Sequence, residues 1–237
     1  MPRKEALIAQ YFAKKDFRAI WFVSSNSLAA TGVASTCDKS TTMTQDLRQE
    51  SFYYHNAMRW ILQNARTTRE YIPDPYEFPT AFNMSLLSWD CELEKKAYEI
   101  AKSCPTGNRL DFQYTGSNNY TTTGPVTKFT VGQAVLKWMD TLHNGNDSLV
   151  NLTPSENNAA KIPGLQLIIG NMTQVGCAFY QGCKYESGVE FTPFVCEYGP
   201  PPLKVGVPIY QNGTPCGACN GPKSSSCFQG LCNYTSV

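Results

Sequence analysis

The sequence has little histidine, little net charge and no long apolar run, and each scarcity excludes a class of function. Only two histidines occur among 237 residues, so a site that needs several imidazole ligands cannot be built from this chain. The formal net charge of +1 gives no electrostatic reason to bind nucleic acid. No segment reaches the roughly 18 apolar residues of a membrane span. We therefore expect neither nucleic-acid binding nor stable membrane insertion.

Cysteine, by contrast, is abundant and even in number, which favours a disulfide framework formed in an oxidising compartment. The ten cysteines are Cys37, Cys91, Cys104, Cys177, Cys183, Cys196, Cys216, Cys219, Cys227 and Cys232. The last four also fit a second interpretation, because a Cys-x-x-Cys pair followed by another cysteine pair can hold zinc in a tetrahedral site. The C-terminal segment is thus held either by disulfides or by zinc.

Seven N-glycosylation sequons indicate secretion independently of the cysteines. Their acceptors are Asn83, Asn119, Asn146, Asn151, Asn171, Asn212 and Asn233. Residues 1–35 are predicted to be a signal or leader segment, since a Lys- and Arg-rich start is followed by a short apolar run and then by small residues. The shortness of that run leaves a second interpretation, in which the true start differs from the one written. The prediction is a secreted, extracellular glycoprotein.

The spacing of apolar residues predicts helices first and strands afterwards. Three- and four-residue steps predict helices over 44–69, 88–104 and 130–145, the last capped by Thr130. Residues 105–129 lack a sustained period and are predicted to be a long loop. Apolar and aromatic runs predict strands over 165–169, 175–181 and 189–198. This order indicates an α+β protein with a sheet covered by helices.

Short motifs in a fixed order carry a family resemblance. They are His55-Asn56-Ala57-Met58-Arg59, Leu87-Ser88-Trp89-Asp90-Cys91, Trp138, Val175-Gly176-Cys177-Ala178, Phe194-Val195-Cys196-Glu197-Tyr198 and Gly213-Thr214-Pro215-Cys216. The set resembles the CAP (SCP/TAPS) superfamily of secreted proteins, in particular the venom-allergen-like and activation-associated secreted proteins of parasitic nematodes. The resemblance implies a three-layer αβα sandwich over residues 36–199 and a cysteine-rich hinge tail over residues 200–237. It also implies a self-contained tail, in which Cys216 pairs with Cys227 and Cys219 with Cys232.

The same resemblance implies a central cleft with two His and two Glu, and this chain departs from that pattern at all four positions. The substituted positions are Asn108, Ser117, Thr141 and Pro163. Without imidazole ligands we expect no metal in the cleft, and no cofactor is predicted. His55 lies outside the four positions and is interpreted as a structural residue that satisfies buried backbone groups. His143, near the C-terminal end of a predicted helix, is interpreted as a residue favoured there by the helix dipole.

No catalytic apparatus is identifiable, so the protein is predicted not to be an enzyme. The disulfide framework leaves no obvious free thiol, and no Gly-x-Ser-x-Gly turn occurs. The leading hypothesis is lipid carriage, since related proteins bind sterols through a loop beside the cleft and fatty acids between two helices. Four aromatic residues of the matching segment would present a flat surface to a sterol, or would instead fix the loop onto the core. They are Phe112, Tyr114, Tyr120 and Phe129.

The alternative hypothesis is a secreted immunomodulatory ligand that carries no lipid. Glycans would cover part of the polypeptide, and the disulfide framework would resist proteolysis in a host. The partner would then be a host receptor or antibody.

Overall fold

The computed structural model describes residues 37, 40–63, 78–106, 116–143, 152–200, 203–219 and 225–234, and its regular structure comprises four α-helices, two short 3₁₀ helices and seven strands. The helices are α1 Gln45–Gln63, α2 Cys91–Lys102, α3 Lys128–Asp140 and α4 Ile162–Leu167. The strands are β1 Ser88–Trp89, β2 Ser117–Thr122, β3 Gln174–Phe179, β4 Cys183–Lys184, β5 Glu190–Tyr198, β6 Ser225–Phe228 and β7 Leu231–Tyr234. Across the described ranges, no helix has the length and apolar character needed to cross a membrane.

The main sheet has the strand order β1-β3-β5-β2, and β4 pairs with the first residues of β5. β5 runs antiparallel to both β3 and β2, whereas β1 is parallel to β3. Side chains alternate between the two faces of a strand. Gly176 therefore faces α2, where an added Cβ would lie 2.2 Å from a backbone nitrogen of that helix. Its neighbour Cys177 faces the opposite layer and lies beside His55 of α1.

Helices cover both faces of this sheet, so the predicted three-layer αβα sandwich is confirmed. α2 packs against β3 and β5 on one face. α1, α3 and α4 pack together on the other face, where the Trp138 ring of α3 stacks on Phe194 of β5 with a centroid separation of 6.1 Å. The apolar side chains of both interfaces are buried in one continuous core.

Local structure corrects several of the sequence predictions. The run 165–169 is not a strand, because Pro163 in the first turn starts helix α4 and every residue of that helix is buried. A short apolar run without alternation fits either element. β2 lies within the segment predicted to be a loop. The N-cap of α3 is Thr127 rather than Thr130, and the two side chains form a reciprocal capping box.

Five disulfides take up all ten cysteines. They are Cys37–Cys91, Cys104–Cys183, Cys177–Cys196, Cys216–Cys227 and Cys219–Cys232. The disulfide interpretation and the self-contained pairing of the tail are therefore confirmed. The alternative of a zinc-bound tail is wrong, since its four cysteines have no free thiolate.

The tail is joined to the rest of the protein by backbone hydrogen bonds rather than by disulfides. The Cys232 N–H donates to the Met84 carbonyl at 2.7 Å, and the Phe82 N–H donates to the Gln211 carbonyl at 2.7 Å. We call the contact of segment 80–86 with the tail the tail seam. The tail is thus covalently closed on itself but fixed in place by its main-chain contacts.

Candidate functional site

His55 is buried in the middle of a hydrogen-bonded chain of polar groups. Its Nδ1 lies 2.6 Å from the Ser51 carbonyl, which can only accept, so Nδ1 carries the proton. Its Nε2 lies 3.0 Å from the Tyr198 hydroxyl, which also accepts a bond from Asn118 Nδ2 at 3.1 Å. Burial lowers the pKa of His55 to about 4. The ring is therefore neutral at physiological pH, and both nitrogens are engaged inside the protein, as a structural role requires.

The surroundings of His55 do not form a metal centre. Among the residues that the structure describes, the one group of three potential metal ligands is His55 with Cys177 and Cys196, whose ligand atoms lie within 4.8 Å of one another. The two sulfur atoms, however, are bonded to each other at 2.08 Å. Neither cysteine offers the thiolate that a metal would need.

Arg59 fixes the segment that leads from α4 to β3. Its guanidinium is buried and donates to five backbone carbonyls at 2.8–3.3 Å. The acceptors belong to Ser85, Leu167, Ile169, Gly170 and Met172. Burial lowers the pKa of Arg59 to about 9, so the side chain is still charged at neutral pH. The charge is held by carbonyl dipoles of the surrounding main chain.

Three of the four substituted cleft positions lie in the described structure, and each takes part in internal contacts. The Thr141 hydroxyl donates to the Trp138 carbonyl at 2.6 Å and accepts from the Gly164 N–H at 2.9 Å. The Pro163 carbonyl accepts from Asn118 Nδ2 at 2.9 Å. The fourth position, Asn108, lies outside the described residues.

The remaining substituted position, Ser117, leads to a carboxyl group that the sequence analysis missed. Ser117 lies directly opposite Glu197 in the pairing of β2 with β5, and the two side chains are hydrogen-bonded. The Glu197 side chain is only 2% exposed, and Lys96 Nζ lies 3.8 Å from its Oε2. Burial raises the pKa of Glu197 to about 7, although the nearby ammonium of Lys96 opposes the rise. Strand alternation in 194–198 would have indicated an acidic side chain on a buried face.

The four aromatic residues proposed for sterol binding have different surroundings. Tyr120 packs against the core, whereas Phe129, in the first turn of α3, is 66% exposed. Phe112 and Tyr114 lie outside the described residues. The structure therefore does not bring the described pair together on one face.

The interface between α1 and α3 bears on the fatty-acid hypothesis. The ring of Tyr54 lies against Gly132, where an added Cβ would be 2.6 Å from the ring. At this point of the interface the tyrosine ring occupies the space between the two helices. An acyl chain that passes this point would have to displace the ring.

The sequons differ in accessibility. Asn171 and Asn212 are exposed, whereas Asn83, Asn119 and Asn233 are half-buried. Asn146 and Asn151 lie outside the described residues. His143 ends the 3₁₀ turn Thr141–His143, and its side chain also lies outside the description.

Exposed apolar side chains concentrate at one β-turn. Four large apolar residues are exposed among those described: Phe129, Tyr185, Val189 and Val207. Tyr185 and Val189 both belong to residues 185–189, which connect β4 to β5 and which we call the hairpin tip. The Tyr185 ring stacks on Phe191 with a centroid separation of 4.2 Å.

Comparison with known proteins identifies similar sequences. A family model described as "CAP: Cysteine-rich secretory protein family" matches residues 52–198. The "Ancylostoma secreted protein" of Ancylostoma caninum is 30% identical over 208 residues, which cover 83% of this chain and 46% of that protein. The "Scoloptoxin SSD552" of Scolopendra dehaani is 30% identical over 189 residues, which cover 76% of this chain and 80% of that protein. This chain thus spans about half the length of the Ancylostoma relative.

Two solved structures with the same fold superpose on this chain with similar TM-scores. "Na-ASP-1" superposes with a TM-score of 0.65 at 27% identity, and the match covers 84% of this chain and 50% of that chain. "NaASP2 with Zn2+" superposes with a TM-score of 0.64 at 24% identity, and the match covers 83% of this chain and 100% of that chain. The second likeness is one of fold alone.

Proposed function

Because this chain belongs to the CAP family of cysteine-rich secretory proteins, we propose that it is a secreted, non-catalytic protein that acts by binding a host protein. The observation that carries the proposal is the use of the cleft positions for internal contacts. Thr141 and Pro163 hold α3, α4 and β2 together, and His55 is neutral and fully engaged. Because the cleft positions Thr141 and Pro163 serve internal contacts, we assign recognition to the outer surface.

The hairpin tip is the surface best suited to such recognition. It combines an exposed tyrosine with an exposed valine, and aromatic side chains are enriched among residues that dominate binding energy. Its base is fixed covalently by Cys104–Cys183. Tyr185 is further held by its stack on Phe191. A surface ordered before binding loses less conformational entropy in the complex.

A cell-binding titration tests this proposal. Labelled glycosylated protein would be titrated onto a panel of mammalian leukocytes and platelets, and bound label would be competed with unlabelled protein. We expect saturable binding that weakens roughly tenfold in the double variant Tyr185→Ser, Val189→Ser, the loss expected for a central apolar contact. Val207→Ser, a matched change at an exposed valine of the tail, should bind like the wild type. Absence of saturable binding, or equal loss in both variants, would refute the proposal.

Sterol binding is a second candidate, supported by the exposure of Phe129. A large aromatic side chain that is 66% exposed suits contact with a flat apolar ligand. For a fatty acid between α1 and α3, the Tyr54 ring would have to move away from Gly132. Mass spectrometry of lipids extracted from the secreted protein, with a cholesterol titration of wild type, Phe129→Ser and Val207→Ser, tests both ligands. Equal cholesterol binding by all three proteins would exclude Phe129 from the sterol site. A protein that contains no extractable lipid and binds no cholesterol would exclude lipid carriage.

A further inference from the structure

We propose that N-linked glycans on Asn171 and Asn212 cover the tail seam, whereas Asn83 and Asn119 stay unmodified in the folded protein. The inference rests on the secretion part of the proposed function but not on the binding part. It separates four of the seven sequon acceptors into two that carry a glycan and two that do not.

Asn171 and Asn212 have the accessibility that a glycan requires. Asn171 is exposed in the turn before β3, and Asn212 is exposed on the tail beside the also exposed Thr214. In the transfer reaction the side-chain nitrogen attacks C1 of a lipid-diphosphate-linked oligosaccharide. The N–C1 bond forms as the bond from C1 to the diphosphate oxygen breaks, the nitrogen gives up one proton, and the lipid diphosphate leaves. The folded structure leaves room around the product at both sites.

Asn119 has no such room. Its Nδ2, the atom that would be modified, donates to the Pro105 carbonyl at 3.2 Å. Its own carbonyl accepts from the Trp138 ring nitrogen at 3.0 Å. The residue is half-buried in β2. A glycan on Nδ2 would have to displace the Pro105 main chain from this contact.

Asn83 is restricted in a different way, because it lies within the tail seam. Its Oδ1 is buried, and a Cβ on Gly170 would lie only 3.1 Å from that oxygen. The third residue of the sequon, Ser85, is 1% exposed. Transfer precedes folding, so a chain modified at Asn83 could not close the seam. Such chains should be missing from the folded fraction.

The two accessible acceptors flank the seam. Asn171 follows Gly170, whose N–H donates to the Ile209 carbonyl of the tail at 2.8 Å. Asn212 forms an antiparallel bridge with Ala81 of the seam itself. The hairpin tip, by contrast, lies beyond the far end of β3, which alone spans about 20 Å at the usual rise per residue. Carbohydrate at these two sites would shield the seam and leave the hairpin tip bare.

Site-specific mass spectrometry tests the assignment. The full chain, placed behind a heterologous signal peptide, would be secreted from insect cells and its folded monomer isolated by size exclusion. Peptide N-glycosidase in ¹⁸O water converts each glycosylated Asn into labelled Asp. We expect label at Asn171 and Asn212 and none at Asn83 and Asn119. Label at either of the last two in folded protein, or an unlabelled Asn171 or Asn212, overturns the assignment.

Trypsin gives a second measurement with an internal control. Lys204 lies in the tail and Lys184 at the base of the hairpin, and both are exposed. In the double variant Asn171→Gln, Asn212→Gln we expect roughly fivefold faster cleavage after Lys204 and no change after Lys184, as loss of local cover would give. The variant Thr214→Ala, which removes a sequon but keeps its Asn, should behave like Asn212→Gln.

The two proposals fail in distinguishable ways. Equal acceleration at both lysines, or none at Lys204, would overturn the shielding. Absence of saturable cell binding in protein that is labelled at Asn171 and Asn212 would instead refute the binding part of the proposed function and leave the glycan assignment standing.

Discussion

Replacing Glu197 by glutamine should stabilise the protein at neutral and alkaline pH and leave it unchanged in acid. The amide has nearly the shape of the carboxyl group, and its oxygen can still accept a bond from Ser117, but it carries no charge to bury. The pKa of Glu197 is raised by burial to about 7 in the folded chain, from an ordinary value of 4.5. Between these two values the folded chain holds a proton that the unfolded chain has lost. The wild-type free energy of unfolding therefore falls as pH rises through this window.

The size of the effect follows from the same two values. Each factor of ten in the protonation equilibrium is about 1.4 kcal/mol, so burying the charged carboxylate costs about 3 kcal/mol above pH 7. The cost is absent below pH 4.5, where both states are protonated. The difference between the Glu197→Gln variant and the wild type should rise from near zero at pH 4.5 to about 3 kcal/mol at pH 8.

His55 makes the free energy of unfolding change with pH in the direction opposite to Glu197, which adds a second test to the comparison of variant and wild type. Its pKa is lowered by burial from 6.5 to about 4, so the unfolded chain binds the extra proton in this range and stability rises with pH. In the wild type the contributions of Glu197 and His55 oppose each other between about pH 4.5 and 6.5. The free energy of unfolding of the variant should then rise with pH as the His55 shift dictates, by about 2 kcal/mol over those two pH units.

Urea unfolding followed by tryptophan fluorescence, at pH 4.5, 5.5, 6.5, 7.5 and 8, provides the measurement. Glu186→Gln, which removes an exposed carboxylate at the hairpin tip, is the control for net charge and should shift stability by less than about 0.5 kcal/mol. A Glu197→Gln difference that stays constant with pH would show that the carboxyl group is not desolvated, and the argument would be wrong.

Three further predictions concern stability. Arg59→Met should destabilise the fold by at least about 4 kcal/mol in urea unfolding, because it leaves five buried carbonyls without their donor; a loss below about 1 kcal/mol would contradict this. Gly176→Ala should lower the free energy of unfolding by about 3 kcal/mol, because the added Cβ would collide with the α2 backbone. The control Gly124→Ala, whose Cβ would meet no atom closer than 3.8 Å, should change stability by less than about 0.5 kcal/mol. The double variant Cys219→Ser, Cys232→Ser should lower the free energy of local unfolding of the tail by about 3 kcal/mol, and hydrogen exchange should become faster over 225–234 but not in β3. Exchange in the tail as slow as in the wild type would refute this prediction.

The three long helices could be predicted because their apolar residues repeat with the helical period. α1, α2 and α3 were all found by that rule. The rule fails where a segment is buried all round, as in α4, since apolar residues then occur without a period and the run fits a strand equally well. It also fails for β2, whose Ser, Asn and Thr residues have no apolar face. That strand is held through its backbone pairing with β5, which a single sequence does not encode locally.

The sequence shows other residues at the four positions where the family resemblance implies two His and two Glu, but it does not show the contacts that these residues make. Ser117 and Glu197 are 80 residues apart in the chain, and only the register of β2 against β5 brings them together. The contacts of Thr141 likewise depend on how α4 meets α3. Such pairs become visible only when strand register and helix packing are known.

Arg59 bonds to no side chain in the loop it holds; all five of its acceptors are main-chain carbonyls. Every amino acid supplies the same carbonyl, so substitutions along 167–172 leave this anchor intact as long as the backbone keeps its path. The position of the segment between α4 and β3 is thus independent of the side chains displayed along it. Residues 167–172 could exchange their surface chemistry one at a time while Arg59 keeps their main chain in place.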